Sequence, residues 1–203
     1  MRSEQPPGGL SNPLGRRARL SRHVGLRLLE AADADELFAV IDANRAHLSL
    51  FLPWAAGQTL AGTRAFIELT RKQLADDNGF QMAIVKDEKI VGVVGYHAVN
   101  WADHSTTLGY WLAAAEQGHG TMTRAVRALV DHAFGVWGLN RVEIGAAPQN
   151  TRSRAIALRL GFREEGTLRQ AERVGGRYLD TVIYSILASE WRRPTTAPRA
   201  GVR

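Results

Sequence analysis

The sequence predicts an α/β (mixed α+β) domain in which a mixed, mostly antiparallel central sheet of about seven strands is flanked by helices. Three observations predict it. Between residues 80 and 112, apolar side chains alternate with a period of two across three runs joined by short polar turns, which reads as consecutive hairpins. After Gly118 the period lengthens to that of a helix, and strands then alternate with helices, which requires crossovers and hence a mixed sheet. The length, 203 residues, suits one core with flanking tails.

Val24 to Leu29 alternates as a short strand, and Asp33 with Glu36 has capping-box spacing for a helix running to Asn44. A second helix spans about Thr59 to Ala75, with Phe66, Ile67, Leu69 and Leu74 spaced for one buried face. Phe80 to Val85 and Lys89 to Val99 form a hairpin turning at Lys86, Asp87 and Glu88. His104 to Leu112 follows after a polar turn at Ala102 and Asp103. Gly118 to Trp137 is a long amphipathic helix, with Met122, Val126, Leu129 and Val130 on one side. Arg141 to Ala146 is a strand, Asn150 to Leu160 a helix, Phe162 to Thr167 a strand and Tyr178 to Ala188 the closing strand. No repeat of solenoid period is present.

The domain is expected over residues 24–192. Residues 1–23, rich in Arg, Pro and Gly, read as a flexible leader, and residues 193–203 as a flexible basic tail. The charge is +6 overall, but residues 1–23 carry +4 and residues 192–203 another +4, leaving −2 for residues 24–191. A basic surface for RNA would therefore have to come from the tails or from local clustering, and no specific nucleic-acid partner is expected. The absence of cysteine excludes disulfides and thiol catalysis. No stretch has the length of a signal peptide's apolar run or of a membrane span, so a cytoplasmic protein without a membrane partner is expected.

The chemistry-bearing tract is Tyr110 to Met122, where a strand feeds through Gln117-Gly118-His119-Gly120 into a helix. The first amides of a helix lack internal partners and sit at the positive end of its dipole, so such a turn can bind phosphate. Gly118 and Gly120 remove side chains that would hold a diphosphate off the backbone. Capping and tight packing would also account for a glycine pair here. A nucleotide-hydrolase loop needs a Lys where Thr121-Met122 stands, and a dinucleotide fingerprint needs a small residue where Thr123 stands. Coenzyme A is the remaining common ligand of a strand, glycine turn and helix.

These residues resemble the GNAT superfamily of acyltransferases, and within it the branch of ribosomal-protein N-acetyltransferases that modify serine or alanine amino termini. The resemblance runs from about Val24 to Trp191. It rests on Gly109-Tyr110-Trp111-Leu112 before Gln117-Gly118-His119-Gly120, on Asn150 and Ser153 before Leu160-Gly161-Phe162, and on Glu165-Gly166. One position departs, Ala115, where the superfamily often begins its glycine motif with Gln or Arg. The resemblance implies a GNAT-like sheet whose middle strands splay after Leu112 and from Arg141, with acetyl-CoA as cofactor. Amides of Gln117, Gly118, His119, Gly120, Thr121 and Met122 would cradle its diphosphate, a backbone amide near Leu112 would polarise the thioester carbonyl, and Asn150 would help hold the pantetheine arm. A homodimer is also in keeping with the resemblance.

Acetyl transfer to an amine needs a neutral amine, a stabilised carbonyl oxygen and a stabilised leaving thiolate. Many superfamily members use a Tyr acid where this chain has Ala157. By the resemblance, Ser153 supplies a hydroxyl near the leaving sulfur and Glu172 is the base. Two plainer readings stand beside these: Ser153 reinforcing a helix start, and Glu172 as a loop carboxylate paired with Arg173 or Arg177. His119 is expected to face solvent. Trp54 and Trp101 flank loops that would line the acceptor entrance, though aromatics near turns are often packing; Trp111, Trp137 and Trp191 read as structural. The acceptor is a protein N-terminus or a small amine such as a polyamine, amino sugar or antibiotic; a non-enzymatic coenzyme-A or RNA-binding module is the third reading. No metal is expected.

Overall fold

The computed structural model describes Leu14 and residues 17–191. Eight strands form one sheet: β1 (Arg17–Arg19), β2 (Val24–Leu28), β3 (Gln81–Lys86), β4 (Lys89–Asn100), β5 (Ser105–Leu112), β6 (Arg141–Ala146), β7 (Arg163–Val174) and β8 (Arg177–Leu187). Their order is β1-β2-β3-β4-β5-β6-β8-β7, and every neighbouring pair is antiparallel except β5 with β6. The helices are α1 (Ala34–Ala43), α2 (Arg45–Leu48), α3 (Leu60–Ala75), α4 (Thr121–Gly135) and α5 (Thr151–Arg159). The parallel pair is a topological necessity: β5 and β6 are joined through α4, and a helical crossover returns the chain in the same direction.

The middle of the sheet is buried on both faces, whereas β7 is exposed along almost its whole length. Val91, Val94 and Tyr96 of β4 point into one cluster with Leu129 and Val130 of α4 and Leu160 after α5. Ile90 and Val93 of the same strand point the other way, onto Leu37 and Ile41 of α1 and Ile67 of α3. Period-two alternation in which both phases are apolar therefore records a strand covered on two sides. Tyr96 is fully buried and donates its hydroxyl proton to the Leu129 carbonyl at 2.6 Å, so the polar end of the core's central ring is satisfied.

Several elements differ from the expected ones. Arg17–Arg19 pairs with Arg27, Leu26 and Gly25, so the sheet gains an eighth strand from the segment expected to be leader; residues 193–203 lie outside the described residues. The capping box forms one turn early, between Glu30 and Asp33. Asp33 also takes two hydrogen bonds from Arg27 at 2.6 and 2.7 Å; burial alone would raise its pKa, but these bonds hold the carboxyl below its ordinary value. Glu36 instead accepts from the Ile90 amide at 2.7 Å and pins α1 to the sheet. Thr59 caps α3 through the Gly62 amide at 3.0 Å, and Ile67 is buried, but Leu69 is 64% exposed and Thr63 and Thr70 take the inner face. β7 continues to Val174, past the expected end at Thr167, because it pairs with β8 down to the Gly175-Gly176 turn.

His132 is buried between the rings of Phe80 and Trp137, and among the described residues its Nε2 has no hydrogen-bond partner. Burial pushes its pKa from 6.5 down to about 4. The unfolded chain therefore binds a proton between these values that the fold refuses, so stability is full above pH about 6.5 and falls as pH drops toward 4. Denaturant titrations across that range should show a loss on the order of 3 kcal/mol that His132→Leu abolishes; an equal slope in both proteins would exclude His132 as its source. Leu129, wholly buried under α4, should cost about 2–5 kcal/mol when changed to Ala, measured by the same titration at neutral pH.

Candidate active site

The site begins where two strands part. β5 and β6 pair only from Ser105 with Arg141 to Leu108 with Ile144. Beyond that point β5 stays on β4 as far as Leu112, and β6 stays on β8 as far as Ala146. The facing edges of Gly109 to Leu112 and of Gly145 and Ala146 consequently lack each other as ladder partners, and backbone groups there are open to a ligand. A cavity of about 840 Å³ runs from this gap to the start of α4, within the range of ligand sites.

At its far end a 3₁₀ turn (Ala114–Glu116) leads into Gln117-Gly118-His119-Gly120. Gly118 and Gly120 have φ of +83° and +70°, values that side-chain-bearing residues resist, and a Cβ added at Gly118 would meet nothing within 4 Å. α4 starts at Thr121, three residues later than expected, because these left-handed positions cannot belong to the helix. Among the described residues no side chain accepts from the amides of residues 118–123, so the helix N-terminus keeps its donors free. Arg124, Arg152 and Arg159 line the same cavity. None of them has a carboxylate partner among the described residues, and Arg124 Nε is buried without an acceptor. Free amides at a dipole's positive end, ringed by guanidiniums that bond only neutral oxygens of His119, Gln117 and Thr123, suit a polyanion, and a coenzyme-A diphosphate fits this donor set.

The turn is held from outside. Asn44 Oδ1 accepts from the Ala114 amide at 2.9 Å, and His47 Nε2 lies 2.8 Å from Gln117 Nε2. Arg152 donates to the other end of the Gln117 amide. Gln117, expected to contribute its backbone, thus also ties α2 and α5 together through its side chain. Asn44 and His47 carry no local signal, since each partner is seventy positions away.

Asn150 and Ser153 both line the cavity, as do Leu112, Gly118, Gly120, Thr121 and Met122. Asn150 caps α5 by accepting from the Ser153 amide at 3.2 Å. The Ser153 hydroxyl takes no part in that cap; it lies 3.0 Å from Tyr110 Oη. Ala157 is wholly buried, so nothing from that position reaches the cavity. His119 is exposed, as expected.

Tyr110 and Leu112 face the α4 and α5 side of the sheet, whereas Trp111 faces α1 and α3. Gly109 shares Trp111's side, and a Cβ there would strike the His97 ring at 2.3 Å. Partial desolvation lowers the His97 pKa and the Glu172 charge opposes it, so Glu172 of β7 lies within electrostatic reach of the ring that covers Gly109. Glu172 is a strand residue opposite Leu179, not a loop residue. Trp54 is 39% exposed and packs on Trp111 with ring centroids 6.3 Å apart, placing it on that same face. Trp101 packs on Trp137, donates to the Asp77 carbonyl at 2.8 Å, and lines a second depression together with His97 and Glu143. No cluster of His, Asp or Glu among the described residues could hold a metal, and no described helix is long and apolar enough to cross a membrane.

Comparison with known proteins agrees with this geometry. Residues 23–163 match the family described as Acetyltransferase (GNAT) domain. YdaF of Bacillus subtilis (strain 168), whose name assigns it provisionally as a ribosomal N-acetyltransferase, is 37% identical over 175 residues, 85% of this chain and 96% of YdaF. Among solved structures, RimL, a ribosomal L7/L12 alpha-N-protein acetyltransferase in complex with coenzyme A, superposes with a TM-score of 0.81 at 25% identity, over 84% of this chain and 97% of RimL. The microcin C7 self-immunity acetyltransferase MccE, in complex with acetyl-CoA and AMP, gives 0.78 at 30% identity, over 83% and 94%. The strand order with its single parallel splay, the uncapped glycine turn and these matches together make the chain a member of the GNAT acetyltransferase family, with acetyl-CoA as its acetyl donor.

Proposed function

We propose that the protein transfers the acetyl group of acetyl-CoA to the N-terminal α-amino group of a protein, a ribosomal protein in the first instance, by direct attack of the amine on the thioester. The observation that carries this reading is the two-sided gap between β5 and β6. One side continues into the cavity with its free helix amides and three guanidiniums. The other side presents Gly109, Trp111 and the neighbourhood of Glu172 and Trp54 to a second reactant. Similarity to YdaF and RimL supports a ribosomal acceptor.

In this reading the amides of residues 117–122 and the adjoining arginines hold the phosphates, and the free edges of β5 and β6 take the pantetheine arm. Leu112 lies at the end of the β5 edge and Asn150 closes the opposite wall. A β5 amide near Leu112 polarises the carbonyl, Glu172 removes the proton from the incoming ammonium, and the Ser153 hydroxyl stabilises the departing sulfur. Trp54 walls the acceptor entrance. Trp101, turned toward Trp137, has a packing role.

The likeness to MccE favours a second reading, in which the acceptor is a small amine attached to a nucleotide-like group. Thiol release from acetyl-CoA, free of background because the chain has no cysteine, separates the two. Peptides with Ser or Ala termini should react, and their inertness beside a reactive small amine would replace the first reading by the second.

Two variants test the residue roles. Gly118→Ala places a methyl at a cavity-lining position with a φ of +83°, and should weaken coenzyme-A binding about tenfold in calorimetry, through lost amide contact and about 1–2 kcal/mol of backbone strain. Glu172→Gln should lower turnover most below pH about 8, where the α-amine is protonated and needs a base, and approach the unsubstituted enzyme above it; an unchanged pH–rate profile would remove Glu172 from the mechanism.

A further inference from the structure

Ser153 is the third residue of α5, and the Asn150 cap already satisfies its amide. Its hydroxyl is met from across the cavity by Tyr110, which stands on β5 two residues past the last residue paired with β6. Two acceptors lie near the phenol oxygen, the Ser153 Oγ at 3.0 Å and the Ser153 carbonyl at 3.4 Å, and both belong to Ser153. A buried phenol proton needs an acceptor, and the nearer one is Oγ. When Tyr110 donates there, the serine's own proton must point elsewhere, and the cavity that both residues line is the open direction. Burial, partly offset by the Ser153 hydrogen bond, raises the Tyr110 pKa to about 12, so the phenol stays protonated across the working range.

We propose that Tyr110 is a positioning residue, donating to Ser153 Oγ and so turning the serine proton into the cleft toward the leaving sulfur. The proposal rests on the reading of Ser153 given above. During transfer the neutral amine nitrogen bonds to the acetyl carbon, the C–S bond breaks with its electron pair going to sulfur, and the extra proton on nitrogen leaves to solvent. Ser153 Oγ–H hydrogen-bonds to the sulfur as its charge develops, and Tyr110 polarises that hydroxyl while keeping its own proton. Hydrogen bonds in series reinforce one another, and those to an ionised acceptor are the stronger kind. A phenol that many superfamily members carry on the helix, at the position of Ala157, is here replaced by one that acts from the facing strand and through an intermediary.

The test compares the unsubstituted protein with Tyr110→Phe, Ser153→Ala and the double variant. Bound coenzyme A is titrated by its thiolate absorbance, corrected for the protein alone; with no cysteine in the chain, the only thiol is the ligand's. Tyr110→Phe should weaken the acidity of the bound thiol about tenfold and lower kcat about tenfold, with the KM for acetyl-CoA within about twofold. Ser153→Ala should do at least as much, and the double variant no more than Ser153→Ala alone. If Ser153→Ala lowers both quantities and Tyr110→Phe neither, the positioning role is overturned and the reading of Ser153 survives. If Ser153→Ala leaves both unchanged, that reading fails and the inference with it. Effects of the two single variants that simply add would show Tyr110 acting on its own, which also overturns the proposal.

Discussion

The rest of the structure depends on the parting of β5 and β6 after Leu108 and Ile144. A parallel pair joined through a helix must accommodate α4 against one face, and here only four residues of each strand remain in register. Each strand then keeps a single neighbour, β4 on one side and β8 on the other, so the sheet stays continuous while its middle opens. The cost is a set of strand-edge groups without mutual partners. In a folded interior such groups are costly unless something pairs with them, which is why a gap of this kind is a ligand site and not a packing fault.

The cavity and the groups that line it follow from that opening. β5 delivers the chain into the glycine turn, so the same strand that forms one lip of the gap also sets the distance from the gap to the N-terminus of α4. α5 forms the second wall and contributes Asn150, Arg152 and Ser153 within one turn. Bonds from Asn44 and His47 hold the turn against α1 and α2. Because the middle strands are covered on both faces, the gap lies between two layers. Tyr110 and Leu112 look into one layer, and Gly109 and Trp111 into the other.

Much of the fold was legible because local rules and tertiary environment agreed. The long apolar stripe of α4, the β3–β4 hairpin and the strand Arg141–Ala146 are all where periodicity places them. Disagreements arose where an element's fate depends on a distant partner. Arg17–Arg19 has no strand-like composition and becomes a strand only because β2 offers it an edge. Leu69 follows Phe66 at helical spacing but stands two residues from Ile67 and so off its face; Thr63 and Thr70, four before and three after Ile67, pack inward instead and satisfy their hydroxyls on the Thr59 and Ile67 carbonyls. Glu172 sits beyond the residues that read as strand, and pairing with β8 carries β7 past it.

By itself, the sequence determined the number and kind of most elements, the absence of cysteine, and a turn before the long helix whose glycines admit positive φ. Those properties are local, being decided by side-chain size, backbone freedom and period within a few residues. Only the tertiary structure decided which hydroxyl faces which. Tyr110 meets Ser153 across 43 positions of chain, Trp101 turns to Trp137 and away from the cavity, and Gln117 is clasped by His47 and Arg152. Such pairings depend on how strands and helices are stacked, and no short-range pattern carries the information that sets two distant side chains three ångströms apart.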